Sequence, residues 1–102
     1  MAKSSVLWTE RARHDLLAIY DYILEAGRPI AAFEFAARIE DRCAALADFP
    51  LSGKSRPDIR PLLRTIPFES VVIAYEFVGA DVVIGRIIHG KRDVEALLRE
   101  PD

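Results

Sequence analysis

Two hydrophobic rhythms divide this chain, and the switch between them limits what it can fold into. From Ala12 to Leu46 apolar residues recur at helical spacing, whereas from Leu62 to Ile88 they come in short, β-branched runs. A period near 3.6 residues buries one face of a helix, while short β-branched runs bounded by turn formers make strands. Helices grouped first and strands grouped afterwards predict an α+β domain.

Thr9 reads as an N-cap, with Glu10 in the first turn where the helix dipole favours an acid. Ala12, Leu16, Ile19, Tyr20 and Ile23 then form one stripe. Gly27 stops that helix and Pro29 opens the next, a stop–start pair suited to a tight αα-hairpin. In the second helix Ala32, Ala36, Ile39, Cys43 and Leu46 alternate at intervals of four and three, and the small residues among them permit close approach. Phe49-Pro50 ends it. Val6-Leu7-Trp8 reads as a short edge or inserted strand, and Leu51 to Pro61, rich in Ser, Gly, Pro and charge, as a loop. Three strands are expected beyond it, Leu62 to Ile66, Ser70 to Phe77 and Val82 to Ile88. Pro67 separates the first two, and Val78 to Asp81 forms a hairpin turn. Asp93 caps a last helix, Val94 to Arg99. The order is β-αα-βββ-α in a single domain, residues 1–102. It predicts an antiparallel-dominated sheet of about four strands with the helical hairpin packed on one face.

A chain of 102 residues can bury one core without disulfides or metal. The single cysteine cannot form an internal disulfide, and no run of about 18 uncharged apolar residues or signal-peptide core occurs, so a cytoplasmic protein with no membrane partner is expected. A net charge of −2 argues against a general nucleic-acid coat. The charge is nonetheless clustered. Between Ser52 and Pro67, Lys54, Arg56, Arg60 and Arg64 face Asp58 alone, and Arg86, Lys91 and Arg92 form a second basic group.

Arg86 stands in the middle of an apolar strand that ends in His89-Gly90-Lys91-Arg92-Asp93. A guanidinium in a sheet needs an acid, a solvated groove or a ligand. Pairing with Glu69 or Glu76 would make Arg86 purely structural. In the other reading, Arg60 and Arg64, four apart, face one way on a strand, Arg86 lies in the neighbouring meander, and Lys91-Arg92 follow the Gly90 turn. Arg64, Arg86, His89, Lys91 and Arg92 would then form one solvent-reachable cationic face for a target or partner.

The chain resembles toxins of the RelE/ParE superfamily, within it the ParE (plasmid-stabilisation) branch. The likeness runs through Trp8-Thr9-Glu10-Arg11-Ala12, Asp15-Leu16, Ile19-Tyr20-Asp21-Tyr22-Ile23 and Leu46. It continues through the Pro-x-x-Gly loop Phe49-Pro50-Leu51-Ser52-Gly53-Lys54, Arg64, Val72-Ile73-Ala74-Tyr75 and the run from Arg86 to Asp93. Each piece is weak alone; their order within one short chain is the signal. The resemblance implies an antiparallel sheet carrying a helical hairpin, and a cognate ParD-like antitoxin whose C-terminal segment wraps over the toxin in a hetero-oligomer. For the ParE branch it implies DNA gyrase as the target, and for the RelE branch mRNA cleavage in the ribosomal A site.

A nuclease would need a base, a cationic stabiliser for the phosphate and an acid. Arg64, Arg86 and Lys54 could supply charge, and His89 or Glu76 the base. The superfamily's mRNA-cleaving members gather several Lys or Arg with a Tyr or His near the C-terminus. Here no tyrosine follows Tyr75, and Lys54 is nearly alone in its loop, so His89 reads better as a turn residue before Gly90. Two histidines and one cysteine do not make a zinc set, and no Gly-rich phosphate loop occurs, so no metal or cofactor is expected. The reading is a toxin of a type II toxin–antitoxin system that binds and poisons gyrase. The alternatives are a ribosome-dependent endoribonuclease and an inactive, antitoxin-binding member.

Overall fold

The structure is a computed structural model and describes residues 3–90 and 92–101. Strand β1 (Ser5–Trp8) leads into helix α1 (Glu10–Glu25), which turns back as α2 (Pro29–Ala44) and a short 3-10 turn (Ala45–Ala47). Strands β2 (Lys54–Ser55), β3 (Leu63–Phe68), β4 (Val71–Val78) and β5 (Asp81–His89) follow, and helix α3 (Val94–Arg99) ends the fold. The sheet order is β1-β5-β4-β3-β2. Among the described residues only β1, at one edge, runs parallel, and it pairs with β5.

The expected hairpin of helices forms for the expected reasons. The Thr9 hydroxyl accepts the Ala12 N–H, and Gly27 takes the left-handed φ of 79° that closes α1. Pro29 opens α2, where its missing N–H has no intrahelical partner to lose. The two stripes meet one sheet face: Ala12, Ile19, Ile39, Cys43 and Leu46 pack on Ile66, Val71, Ile73, Tyr75, Val82, Ile84 and Ile87. Phe35 joins them from α2, outside the stripe read from the sequence.

Two expectations need correction. The sheet has five strands rather than about four, because Lys54–Ser55, in the segment read as loop, pairs with Thr65 and Arg64. Two polar residues give no alternation, so only the neighbouring strand defines them as β. Pro67 lies inside β3 rather than between strands, and the turn falls at Glu69-Ser70, with Glu69 at a φ of 50°. The Leu63 carbonyl accepts the Arg56 N–H on the β2 side. By strand parity Pro67 also turns its nitrogen to that side, beyond the end of β2, where a missing N–H breaks no ladder bond.

A register shift between β4 and β5 decides the geometry of the site. Tyr75 pairs with Ile84 and Ala74 with Arg86, so Gly85 is an extra, bulged residue in β5. Val82 and Ile84 face the helices before the bulge; Ile87 does so after it. Unbroken alternation would have put Arg86 into that core beside them. The bulge turns Arg86 and Ile88 to the opposite face, opposite Ala74 and beside a second apolar cluster of Leu63, Ala74, Ile88 and Leu98. β1 covers β5 only as far as Ile84. The start of α1 closes the rest of that edge: Thr9 N–H donates to Ile84 O at 3.0 Å, the Thr9 hydroxyl to Gly85 O at 3.2 Å, and Ile87 N–H to Asp15 Oδ2 at 3.0 Å.

Candidate functional site

The sheet face away from the helical hairpin holds a groove of about 850 Å³. Leu63, Ala74, Glu76 and Val83 form its floor, α3 one wall through Leu97, Leu98 and Arg99, and the start of α1 the other through Thr9, Glu10 and Arg11. Arg60 and Arg86 reach it from the loop before β3 and from the β5 bulge. The floor is mostly apolar and the rim is rich in guanidinium groups.

Each of these arginines is held. Arg86, 7% exposed, donates from Nε to Asp15 Oδ2 at 2.8 Å and from Nη2 to Asp15 Oδ1 at a longer 3.4 Å, so the buried guanidinium is paired. Arg11 Nε stands 4.0 Å from the other Asp15 oxygen. Arg60 lies 3.5 Å from Glu76 and donates from Nη1 to Leu98 O at 3.1 Å, fastening α3 across the sheet. Arg99 pairs with Glu95 at 2.8 Å and donates to Asp58 O at 3.2 Å.

The cationic face expected from Arg64, Arg86, His89, Lys91 and Arg92 is not assembled. Arg64 stands opposite Tyr75, whose side chain lies in the helix-facing core, so Arg64 and Arg86 are on opposite faces. Arg60, expected to face the same way as Arg64, precedes β3 and lines the groove instead. His89 turns to the helices, its ring centroid 5.8 Å from that of Tyr22 and 6.1 Å from that of Phe35. Arg92 is exposed in the connection to α3, and Lys91 lies outside the described residues. Nor does Arg86 pair with the acids expected for it. Glu69 is taken by Arg38 at 2.8 Å and Glu76 by Arg60. Lys54 is exposed on β2, so the nuclease set of Lys54, Arg64, Arg86 and His89 is scattered over two faces and one edge. Among the described residues no three His, Cys, Asp or Glu come together as a metal site.

Arg64 has a different task. Its Nη1 donates to Leu51 O at 3.1 Å and Gly53 O at 2.8 Å. The buried Tyr75 hydroxyl donates to Pro50 O at 2.9 Å and accepts the Gly53 N–H at 2.8 Å. Together they clamp the loop between the 3-10 turn and β2.

Sequence reasoning missed Arg11 and Arg99 at the groove, and Asp15, which seats Arg86 beside it. The available signal was Asp15 itself, an acid between Ala12, Leu16 and Ile19 on the flank of a buried stripe. Such a carboxylate must meet a donor inside the fold.

Residues 6–94 match the family model described as the ParE toxin of the type II toxin–antitoxin system parDE. Toxin ParE3 of Caulobacter vibrioides is 33% identical over 93 residues, covering 91% of this chain and 93% of that protein. Toxin RelE2 of the same organism is 37% identical over 90 residues, covering 87% of this chain and 98% of that protein. A solved chain of the chromosomal ParDE system from P. aeruginosa superposes with a TM-score of 0.76 at 27% identity, covering 87% of this chain and 98% of that one.

Proposed function

The chain belongs to the ParE toxin family of type II toxin–antitoxin systems, and from that premise we propose that it acts in the cytoplasm by binding rather than by bond-making. Its target in this reading is DNA gyrase, and a cognate ParD-like antitoxin neutralises it. The observation that supports binding is the make-up of the groove. Its cations are arginines, already seated on acids, and a guanidinium holds its proton throughout the physiological range. Such groups fix an acidic ligand in place and do not shuttle protons. The tyrosine of the floor strand turns its hydroxyl away to Pro50 and Gly53.

The same groove suits a segment of the antitoxin. An extended or helical stretch with apolar side chains would cover Leu63, Val83 and Leu97, while its acids met Arg11, Arg60 and Arg99 at the rim. The groove then stands open in the free toxin and is covered in the complex.

A supercoiling assay with purified DNA gyrase, run beside in vitro translation, tests the reading. Inhibition of supercoiling with intact ribosome-bound mRNA is expected. The likeness to a toxin named RelE2 keeps a second reading, ribosome-dependent mRNA cleavage. Codon-specific A-site cleavage without any effect on gyrase would replace the first by the second.

A further inference from the structure

We propose that the clamped loop 49–53 is the element that grips the target protein, with Phe49 and Leu51 entering an apolar pocket rimmed by carboxylates. The proposal rests on the toxin reading above and adds the surface that does the work. Phe49 is 70% exposed and Leu51 59%. Single exposed apolar residues are common and need no explanation. The unusual feature is how firmly the backbone beneath these two is fixed.

Four carbonyls and two amides of this short stretch are committed inward or within the turn. Pro50 O and Gly53 N–H meet the hydroxyl of Tyr75, a side chain only 1% exposed. Leu51 O and Gly53 O meet the Arg64 guanidinium, and Ser52 N–H closes a turn on Phe49 O at 3.1 Å. Gly53 packs so close to Tyr75 that a Cβ would stand 2.7 Å from the ring and hydroxyl, so only glycine fits there. The loop thus turns polar backbone toward the domain and apolar side chains toward solvent, the reverse of a loop that serves the core. Rigid anchors on a fixed loop bind without the cost of ordering them.

Charge and position select the occupant. The stretch 49–54 contains no acid and ends in the exposed Lys54, and Arg64 lies directly beneath it. Asp48, just before, is held by Lys3 at 3.6 Å. A partner rimmed with carboxylates therefore fits. Arg64 lies on the helix-bearing side of the sheet and the arginine groove on the other, so the two surfaces can meet different proteins. A groove suits an extended antitoxin segment, whereas two rigid projecting anchors suit a preformed pocket on a folded target. In this arrangement Arg64 is a positioning residue that acts through the loop.

The test is a Phe49→Ser, Leu51→Ser double variant of the full chain, induced in cells with and without its cognate ParD-like antitoxin. The exposed positions leave the melting temperature of the purified toxin within about 2 °C of wild type. Growth arrest should require at least about tenfold more protein, while the antitoxin still binds with unchanged affinity. Arg64→Lys, which loses the paired contacts to the two carbonyls, should weaken arrest in the same direction, with antitoxin affinity again unchanged. A double variant as toxic as wild type overturns the proposal. So does lost antitoxin binding with toxicity kept, which gives the loop to the antitoxin, or a wild-type dimer that the double variant dissolves, which gives it to a second copy. Growth arrest that depends on Phe49 in a toxin without effect on gyrase would sink the gyrase reading and keep the loop. A wild-type chain that arrests nothing would sink the toxin reading and the loop with it.

Discussion

Asp15 Oδ2 accepts two donors at once, Arg86 Nε at 2.8 Å and the Ile87 backbone N–H at 3.0 Å, and so ties the first helix to the bulged edge of β5. The side chains of Arg86 and Asp15 are 8% and 13% exposed, so neither group has water to fall back on. Asp15→Ala strands a buried guanidinium and an edge N–H together. It should cost about 3–5 kcal/mol, read as a shift in the urea midpoint. Arg86→Ala should cost less, because Asp15 keeps the Ile87 N–H and has Arg11 4.0 Å away. Asp15→Leu with Arg86→Met removes both charges and should recover much of the loss. An Asp15→Ala midpoint equal to wild type would remove this tie from the account.

Ile39 tests the packing of the hairpin. It has no exposed surface, and it joins the core shared with Ile73, Tyr75 and Ile84. Ile39→Ala should destabilise by about 2–5 kcal/mol, the transfer loss plus a cavity that a close-packed core fills poorly. Phe33, 68% exposed on the same helix, is the control, and Phe33→Ala should stay within about 0.5 kcal/mol of wild type. Equal effects at the two positions would mean that the stripe does not face the sheet.

What the sequence made legible was whatever is local. Thr9, Gly27, Pro29 and Asp93 announce helix ends through their own side chains or their own φ, and all four do so where expected. The β4–β5 hairpin closes on Gly79-Ala80 as read. What stayed hidden depends on partners far along the chain. Arg86 and Asp15 are 71 residues apart, and no spacing rule connects them. The Gly85 bulge resets strand parity, which no local pattern announces, and it leaves Arg86 on the sheet face opposite to Arg64, with which it was expected to share one cationic surface. Arg64 had the right strand but the wrong task, because its ligands are carbonyls of a loop rather than a partner's acids. The groove was invisible for the same reason: α3, the 59–63 segment and α1 converge on it only in three dimensions.

Encounter with the antitoxin should be electrostatically steered. Arg11 and Arg99 stand exposed on the rim of the groove, with Arg60 half-buried beside them. Such charges raise association rates at low salt and are screened within about 8 Å at physiological ionic strength. Stopped-flow association should therefore slow as salt rises, and reversal of Arg60 and Arg99 to glutamate should flatten that dependence and weaken the complex. Rates unchanged from low to high salt would leave binding intact but remove the steering.

Cys43 should be chemically silent while the domain is folded. It has no exposed surface, and burial pushes its thiol pKa up to about 12, only partly offset by the nearby Arg42 charge. The thiolate is the reactive form, so both access and ionisation are denied to an alkylating reagent. Iodoacetamide labelling followed by mass spectrometry should show modification only at the rate of unfolding, and the rate should rise in Asp15→Ala and Ile39→Ala with their lost stability. Rapid stoichiometric labelling of the native wild type would contradict the burial.

Acid should loosen the fold slightly through two surface pairs, one at each end of β3. Hydrogen bonding to Arg38 holds the Glu69 carboxyl below its ordinary value of 4.5, and hydrogen bonding to Arg56 holds Asp58 below 3.8, in each case against a smaller desolvation effect. A carboxyl whose folded pKa is depressed adds stability that is present above its unfolded value and is lost as pH falls through the folded one. These two contributions should therefore be constant from neutrality down to the ordinary carboxylate range and drain away below it. Both pairs are exposed, so the effect is small and shrinks with added salt. Glu69 carries a further burden, because it holds the β3–β4 turn at a φ of 50° that favours glycine. Glu69→Gly removes the ion pair and relieves the backbone, so the two changes oppose each other at neutral pH. Below the carboxylate range the wild-type pair is gone, and only the relief remains. The melting temperature of Glu69→Gly relative to wild type should thus rise as pH is lowered from 7 to 3, and Arg38→Gln should reduce the acid sensitivity without that turn effect. A Glu69→Gly difference that stays level across this range would show that the Arg38 pair contributes nothing to holding the turn.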